Sequence, residues 1–448
     1  MIGAFQDAAK IPELRRRVFF SLAMLIVYRI GVFVPTPGID AEQLKNLFQR
    51  ASGTLFGLAN MFSGGALENS SVLALGIAPY ISMSIIMQLL QASVPRLEAL
   101  SKEGEHGRRV ITTYTRIGTV ILAMVQSLMI SIGLESQGIA AHPGWSFRII
   151  TMCTLTAGSA FIMWLGEQIT ERGIGNGISL VISAGIIARM PSVMAGTLAL
   201  TQTGELNPLS MLVLLIFALA TIYLIVYVER AQRRIPIQYP KRALGGNRMT
   251  QATTQHLPLK LNTAGVIPPI FASSLLIVPA TIAQVSNAEW LKGVVGFLTP
   301  ATFGYELVFA LLIVFFCYFY TALVFDPEKI AENLKKNGGF IPTVRPGKET
   351  SDFLYRVLNR LTIWGALYVC VICIVPTVFY SEMGAQSFTY FFGGTAVLIV
   401  VSVILDTVSQ MQSHLVARNY EDFMTKSPGK MRAMARGGGP GRGKLIQR

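Results

Sequence analysis

Charged residues are scarce in this chain. Asp, Glu, Lys and Arg make up 14% of its 448 residues, against roughly 25% in an average soluble domain. Hydrophobic residues make up 52%, and the mean hydropathy is +0.51. A chain with so little polar surface cannot cover a soluble globule of this size. The composition argues against a soluble enzyme, a disordered chain and a nucleic-acid-binding domain, and it favours a protein that crosses a membrane several times.

Cysteine and histidine are also sparse. The four cysteines, at positions 153, 317, 370 and 373, lie in apolar runs, so we interpret them as buried, unreactive thiols. The four histidines lack metal-ligand spacing, and no nucleophile–base constellation is visible. The glycine-rich stretch 173–177 lacks the Lys-Ser/Thr of a phosphate loop. We therefore predict no enzyme activity, no metal and no cofactor.

Long apolar segments recur along the chain. A helix that spans a bilayer needs about 20 mostly apolar residues. Ten segments approach this length, at residues 18–34, 72–92, 117–134, 149–166, 178–197, 209–228, 266–285, 305–325, 361–380 and 391–411. The fifth is the weakest because Arg189 and Pro191 interrupt it. We expect ten transmembrane helices.

The basic residues are distributed very unevenly around these segments. Of the 38 Lys and Arg residues, 32 fall in the N-terminus, the C-terminal tail and every second connection, whereas 5 fall in the other connections and Arg29 lies within the first span. Lys and Arg concentrate in cytoplasmic loops. The count therefore predicts that both termini are cytoplasmic, which requires an even number of spans.

Ten spans divide into two groups of five that run in opposite directions. This arrangement permits an inverted repeat around a central path, so the predicted fold class is an all-α membrane protein with two inverted five-helix halves. The predicted boundaries are a cytoplasmic N-terminus at 1–17, halves at 18–208 and 209–411, and a flexible basic cytoplasmic tail at 412–448.

Three connections are long. Those at 229–265 and 326–360 are basic and cytoplasmic in this topology, and we expect helical stretches in both, such as 327–336. The outer connection 35–71 has an apolar second part at 55–67. A segment of this kind could re-enter the membrane, which is tolerated only where the backbone is buried in protein or lines a cavity.

Few polar side chains occur inside the predicted spans. We interpret Arg29 and Asp406 as structural partners of neighbouring helices. We interpret Gln88 and Gln126 either as forming hydrogen bonds between helices or as lining a polar path or gate. We treat both as gate candidates. An ion-coupled secondary transporter with inverted five-helix repeats is the alternative function, but it needs polar or acidic ligands deep in the spans, and the sequence offers few.

The connecting sequences resemble the SecY family of bacterial protein-translocation channels over nearly the whole chain. The matching stretches are GVFVPTPGID at 31–40, MFSGGAL at 61–67, ALGIAPYIS at 74–82, KEGEHGRR at 102–109, WLGEQITERGIGNGIS at 164–179, HLPLKLNTAGVIPPIFASS at 256–274 and YTALVFDPEKIAENLKKNGGFIPTVRPG at 320–347. One such stretch would be a weak signal. Seven in order, on a ten-span layout, are a strong one.

The resemblance implies a channel for unfolded polypeptides that also releases hydrophobic segments laterally into the membrane. By family motif, residues 57–68 would be the plug segment, a short helix in the outer funnel that includes Met61, Phe62, Ser63, Gly64 and Gly65. A ring of aliphatic side chains would seal the waist. By the same motifs its members would be Ile81, Ile85, Ile182, Ile186, Ile404 and Leu275, with Ser274 as the alternative in the seventh span.

The resemblance also implies partners and a location. The long cytoplasmic loops would dock the ATPase SecA or the ribosome, with Arg345 and Arg248 as the docking candidates. The small membrane subunits SecE and SecG would lie beside the chain in the lipid membrane, preproteins that carry signal peptides would be the substrates, and the bacterial inner membrane would be the location. An apolar constriction suits this task because it excludes water and ions by dewetting.

Overall fold

The structure is a computed structural model. It describes residues 12–40, 42–44, 60, 63–204, 207–239, 253–285, 293, 296–299, 302–383, 388 and 392–426. Its long helices are α1 (Pro12–Gly31), α2 (Ala78–Ser93), α4 (Glu105–Ser136), α5 (Trp145–Arg172), α6 (Gly177–Gln202), α7 (Pro208–Glu229), α8 (Ile267–Val285), α9 (Phe303–Val324), α11 (Lys348–Glu382) and α12 (Gly394–Lys426). Each of the ten overlaps one predicted span.

Seven candidate membrane spans occur among the described residues, in helices α4 to α7, α9, α11 and α12. The other three long helices have identifiable departures from that pattern. Helix α1 carries three arginines near its start, α2 has only 16 residues, and α8 contributes a shorter apolar stretch, Ile267–Ile277. Helices α4 and α11 begin about a dozen residues before the predicted spans, because hydropathy marks only the apolar part of a helix that continues beyond the membrane.

The connections that we predict to be cytoplasmic contain shorter elements. Helix α3 (Pro95–Lys102) links α2 to α4, and α10 (Pro327–Lys336) confirms the helix predicted there. The Asp326 side chain accepts hydrogen bonds from the backbone N–H groups of Glu328 and Lys329, which caps α10. Beside this cap, a side-chain hydrogen bond from Lys329 lowers the pKa of Asp326.

The first long loop differs from its predicted helical form. It contains two antiparallel strands, β1 (Gln232–Tyr239) and β2 (Thr253–Lys260), paired from Gln232 opposite Lys260 to Tyr239 opposite Thr253. Ile235 and Ile237 of β1 and Leu259 of β2 are buried, whereas Arg234, Pro236 and Gln238 are exposed. This alternation buries one face of a two-stranded ribbon, so the helical prediction is wrong for the described residues of this loop.

One core joins the two groups of helices. Helix α8 packs against α2 and α4, and α12 packs against α6 and α7. The largest buried cluster takes side chains from α2, α5 and α6 as well as from α8, α9, α11 and α12. Three cysteines are buried or half-buried, as predicted, but Cys153 is exposed on α5.

Candidate functional site

Four of the six predicted ring residues lie in the largest buried cluster. Ile81 and Ile85 of α2 are 6% and 8% exposed, and Ile182 and Ile186 of α6 are 1% and 0% exposed. Each pair is spaced four residues apart, so both members lie on one face of their helix. The structure therefore brings two aliphatic pairs from helices about 100 residues apart into one apolar centre.

The other two predicted ring residues lie outside this cluster. Leu275 is 49% exposed and Ile404 is 46% exposed, whereas the adjacent Leu276 and Val403 are buried in the cluster. Neighbouring residues on a helix point about 100° apart, so a shift of one position exchanges a buried face for an exposed one. The roles of Leu275 and Ile404 in a ring stay predictions.

A series of turns at residues 63–70, which we call the plug turn, packs against the same cluster. Ala66, at its middle, is fully buried within that cluster. Gly64 and Gly65 have φ angles of 65° and 88°, a left-handed conformation that glycine adopts without steric cost. The helix predicted over 57–68 therefore does not include residues 63–68, while Met61 and Phe62 lie outside the described residues.

Two side chains of α1 hold the backbone of the plug turn. The Tyr28 hydroxyl donates a hydrogen bond to the carbonyl oxygen of Ser63 at 3.1 Å, and Nη1 of Arg29 donates to the carbonyl oxygen of Gly64 at 3.0 Å. Arg29 also lies over the ring of Phe33, 5.7 Å from its centroid. The partners of Arg29 are thus a loop carbonyl and the ring of Phe33, just beyond the end of α1, instead of the neighbouring helix that we predicted.

An ion pair connects the plug turn to α6. The carboxylate of Glu68 pairs with the guanidinium of Arg189, and both side chains are about one-fifth exposed. Nδ2 of Asn60 donates a hydrogen bond to the same carboxylate, and Oδ1 of Asn60 accepts one from the Glu68 backbone N–H, each at 3.2 Å. The sequence analysis noticed Arg189 only as an interruption of a span and did not consider Glu68. An acidic and a basic residue, each isolated in apolar sequence, were the signal available.

The gate candidates lie on the two helices that face α8. Nε2 of Gln88, on α2, donates to the Ser84 hydroxyl at 3.4 Å, and its amide oxygen is buried without a hydrogen-bond partner among the described residues. Gln126 is half-buried on α4. Because α8 packs against both helices, the two candidates lie on helices that form the contact between the two groups of helices.

The two long loops that we predict to be cytoplasmic lie against each other. Gln238 of β1 and Phe340 exchange backbone hydrogen bonds at 2.9 and 3.0 Å. Ile341 packs with Ile235, Leu259 and Leu354 in a buried cluster. Arg345 lies four residues beyond Ile341, and its side chain is exposed. The predicted docking arginine therefore extends from a loop that is anchored on the β-ribbon, while Arg248 lies outside the described residues.

The backbone around Arg345 is well defined by local contacts. The Thr350 hydroxyl donates a hydrogen bond to the Arg345 carbonyl oxygen at 2.8 Å, and Thr343 has a φ of 73°. Proline occupies positions 342 and 346 and restricts the φ angles on either side.

Asp406 of α12 has a partner on β2. Nζ of Lys260 lies 3.2 Å from Oδ1 of Asp406, with both side chains more than half exposed. Asp406 thus pairs with β2 and not with a neighbouring helix.

Among the described residues, no group of three or more His, Cys, Asp or Glu side chains could hold a metal ion. The buried centre consists of aliphatic and aromatic side chains. Chemically, such a centre can form an apolar barrier.

Comparison with known proteins gives a consistent result. The family model described as SecY matches residues 71–408. The protein translocase subunit SecY of Pseudomonas aeruginosa is 48% identical over 421 residues, which cover 93% of this chain and 94% of the relative. The Escherichia coli protein of the same name is 47% identical over 94% of this chain and 97% of the relative. The Thermus thermophilus protein is 42% identical over 97% and 100%.

Solved structures with a similar fold are more distant in sequence. One, described as a protein conducting channel, aligns with a TM-score of 0.68 at 18% identity, covering 94% of this chain and 98% of that chain. Another, Sec61 in a canine ribosome-channel complex from the endoplasmic reticulum, aligns with a TM-score of 0.64 at 17% identity over 94% and 98%. At these identities the likeness concerns the fold.

Proposed function

This chain belongs to the SecY family, and we propose that it moves unfolded polypeptides through its centre and releases hydrophobic segments between its two groups of helices. The protein is a protein-conducting channel and not an enzyme. An ion-coupled secondary transporter is not favoured. The finer proposal concerns the path, the seal and the partners.

One observation carries the proposed path. Ile81, Ile85, Ile182 and Ile186 meet in a single aliphatic cluster, on helices from well-separated parts of the chain, and the plug turn packs on that cluster. Aliphatic side chains offer no hydrogen bonds to a passing chain, so they bind no sequence tightly. They can also exclude water and ions while the path is narrow. We propose that Leu275 and Ile404 complete this seal from α8 and α12.

We propose that lateral release occurs where α8 meets α2 and α4. These helices are in contact in this structure, which supports this location. Gln88 and Gln126 lie on α2 and α4, and a polar group near such a contact would be hydrated when the helices separate. The halves proposed at 18–208 and 209–411 would move apart along this line.

The cytoplasmic surface is the proposed docking site. SecA or the ribosome would bind the β-ribbon and the Arg345 loop, which are joined by backbone hydrogen bonds. The guanidinium of Arg345 can pair bidentately with a carboxylate or a phosphate. SecE and SecG would flank the chain in the bacterial inner membrane, with both termini in the cytoplasm as the Lys and Arg distribution indicates.

Reconstitution tests this proposal. The purified chain with SecE and SecG is placed in proteoliposomes, and SecA, ATP and a preprotein with a signal peptide are added outside. We expect ATP-dependent protection of the preprotein from protease. Uptake of a small solute driven by an ion gradient, without movement of polypeptide, would instead support a transporter.

A further inference from the structure

The plug turn is tied to α6 by a charged contact. Glu68 and Arg189 are the two members, on segments 121 residues apart, and both side chains are about one-fifth exposed. A pair at this depth is screened less than a surface pair, and removing one partner leaves the other charge poorly compensated. This contact therefore has more influence on the position of the plug turn than an exposed ion pair would have.

The position of Arg189 on α6 is informative. It follows Ile182 and Ile186 by seven and three residues, which places all three on one helix face. Its side chain also passes across the plug turn, because a Cβ added to Gly65 would lie 2.8 Å from Nη1 of Arg189. The ion pair thus lies one helical turn beyond Ile186 on α6.

The other end of the plug turn is held through its backbone. Tyr28 and Arg29 donate hydrogen bonds to the carbonyl oxygens of Ser63 and Gly64. A backbone carbonyl is present whatever residue occupies those positions, whereas the ion pair needs a carboxylate at position 68. The Glu68–Arg189 pair is therefore a contact with α6 that one side-chain substitution in the plug turn removes.

We propose that the Glu68–Arg189 ion pair is a specificity determinant of this channel. It holds the plug turn against the aliphatic cluster. It thereby sets the binding free energy that a substrate must contribute to the open state before the channel admits that substrate. A substrate with a weak signal sequence contributes too little binding free energy to separate the pair and is rejected. The inference rests on the proposed polypeptide path.

The test compares Glu68→Gln, Arg189→Gln and the double variant in planar bilayers and in export assays with a signal-defective reporter. The matched control is Glu135→Gln, which breaks the Glu135–Arg148 pair between α4 and α5. That pair has side chains 18% and 27% exposed and a separation of 2.6 Å. The amount of each variant in the membrane is measured in parallel.

We expect each single variant to raise resting ion leak about tenfold, which corresponds to about 1.4 kcal/mol, and to increase export of the defective reporter. The double variant should leak no more than the higher single variant, because both substitutions remove one interaction. Glu135→Gln should match the wild type.

Two results would overturn the inference. One is an ion leak for Glu68→Gln that is no greater than the leak for Glu135→Gln. The other is a double variant whose fold-increase in leak equals the product of the fold-increases of the two single variants. If Glu68→Gln does not accumulate, Arg189→Gln and Arg189→Lys are compared with the wild type instead. Equal ion leak from these three proteins would overturn the inference. Failure of the wild type to move any preprotein would instead refute the proposed function.

Discussion

Gly64 of the plug turn and Gly185 of α6 lie in backbone contact. A Cβ added to Gly64 would lie 2.8 Å from the Cα of Gly185, and one added to Gly185 would lie 3.1 Å from the Cα of Gly64. Side chains at either position would separate the two segments, because backbone atoms cannot yield as a flexible side chain can. The pair of glycines therefore allows the plug turn to approach the helix that carries Ile182 and Ile186.

The first prediction concerns this contact. We expect Gly185→Ala to displace the plug turn and to raise ion leak by about tenfold, since overpacking a close contact costs about 1–3 kcal/mol. Single-channel recording in planar bilayers measures the effect. The control is Gly196→Ala on the same helix, where an added Cβ meets nothing within 4 Å. Equal leak from the two variants would show that the contact does not affect closure.

The second prediction concerns the whole plug segment. Deletion of residues 57–68 removes Gly64, Gly65 and Glu68 together, so the aliphatic cluster loses the turn that packs on it. We expect a large rise in ion conductance with only partial loss of polypeptide transport, because the path through the helices remains. Conductance equal to that of the wild type would contradict the proposed plug.

The third prediction concerns docking at Arg345. We expect Arg345→Glu to reduce SecA-driven translocation at least about tenfold, because reversing one partner of a close charged contact costs on the order of 2–5 kcal/mol. The protein should still insert and assemble with SecE and SecG. Translocation into inverted membrane vesicles is the measurement.

The matched control for docking is Lys335→Glu. This residue is exposed on the neighbouring helix α10, so the variant changes the net charge of the surface equally. Reduced translocation in both variants to the same extent would mean that Arg345 contributes only general positive charge.

The fourth prediction distinguishes a seal residue from a packing residue on α12. Ile404 is 46% exposed and the adjacent Val403 is 5% exposed. An unpaired polar group in an apolar environment costs a few kcal/mol, about 2–7, so Val403→Asn should reduce the amount of protein in the membrane. Ile404→Asn should accumulate normally if its side chain faces the path, since water or a passing peptide can satisfy the amide.

The functional measurement for Ile404→Asn is export of a signal-defective reporter. Hydration of the seal should weaken the closed state and increase that export about tenfold, equivalent to about 1.4 kcal/mol. Loss of the variant from the membrane, with no added export, would indicate that Ile404 contacts lipid or another helix instead of the path.

Much of the fold followed from composition and spacing. A helix in a bilayer satisfies its backbone hydrogen bonds internally, so each span is specified by its own apolar residues, and ten long helices overlap the ten predicted segments. The burial of the four isoleucines predicted for the ring on α2 and α6 was also anticipated, because family motifs and a spacing of four residues placed each pair on one helix face. The ends of the helices were harder to predict, because α4 and α11 extend beyond their apolar parts.

The remaining features depend on contacts between distant residues. The β-ribbon of the first loop is stabilised by pairing between strands and by packing against Ile341 and Leu354, and no local helix or strand signal reports such packing. Likewise, nothing in the sequence pairs Glu68 with Arg189, which lie 121 residues apart, and the structure brings them together where Gly64 approaches Gly185. The sequence by itself determined the membrane class and the positions of the long apolar helices through local hydropathy. The tertiary structure decided which charges pair, where the plug turn attaches and which aliphatic side chains meet, because those properties arise from packing between segments more than 100 residues apart.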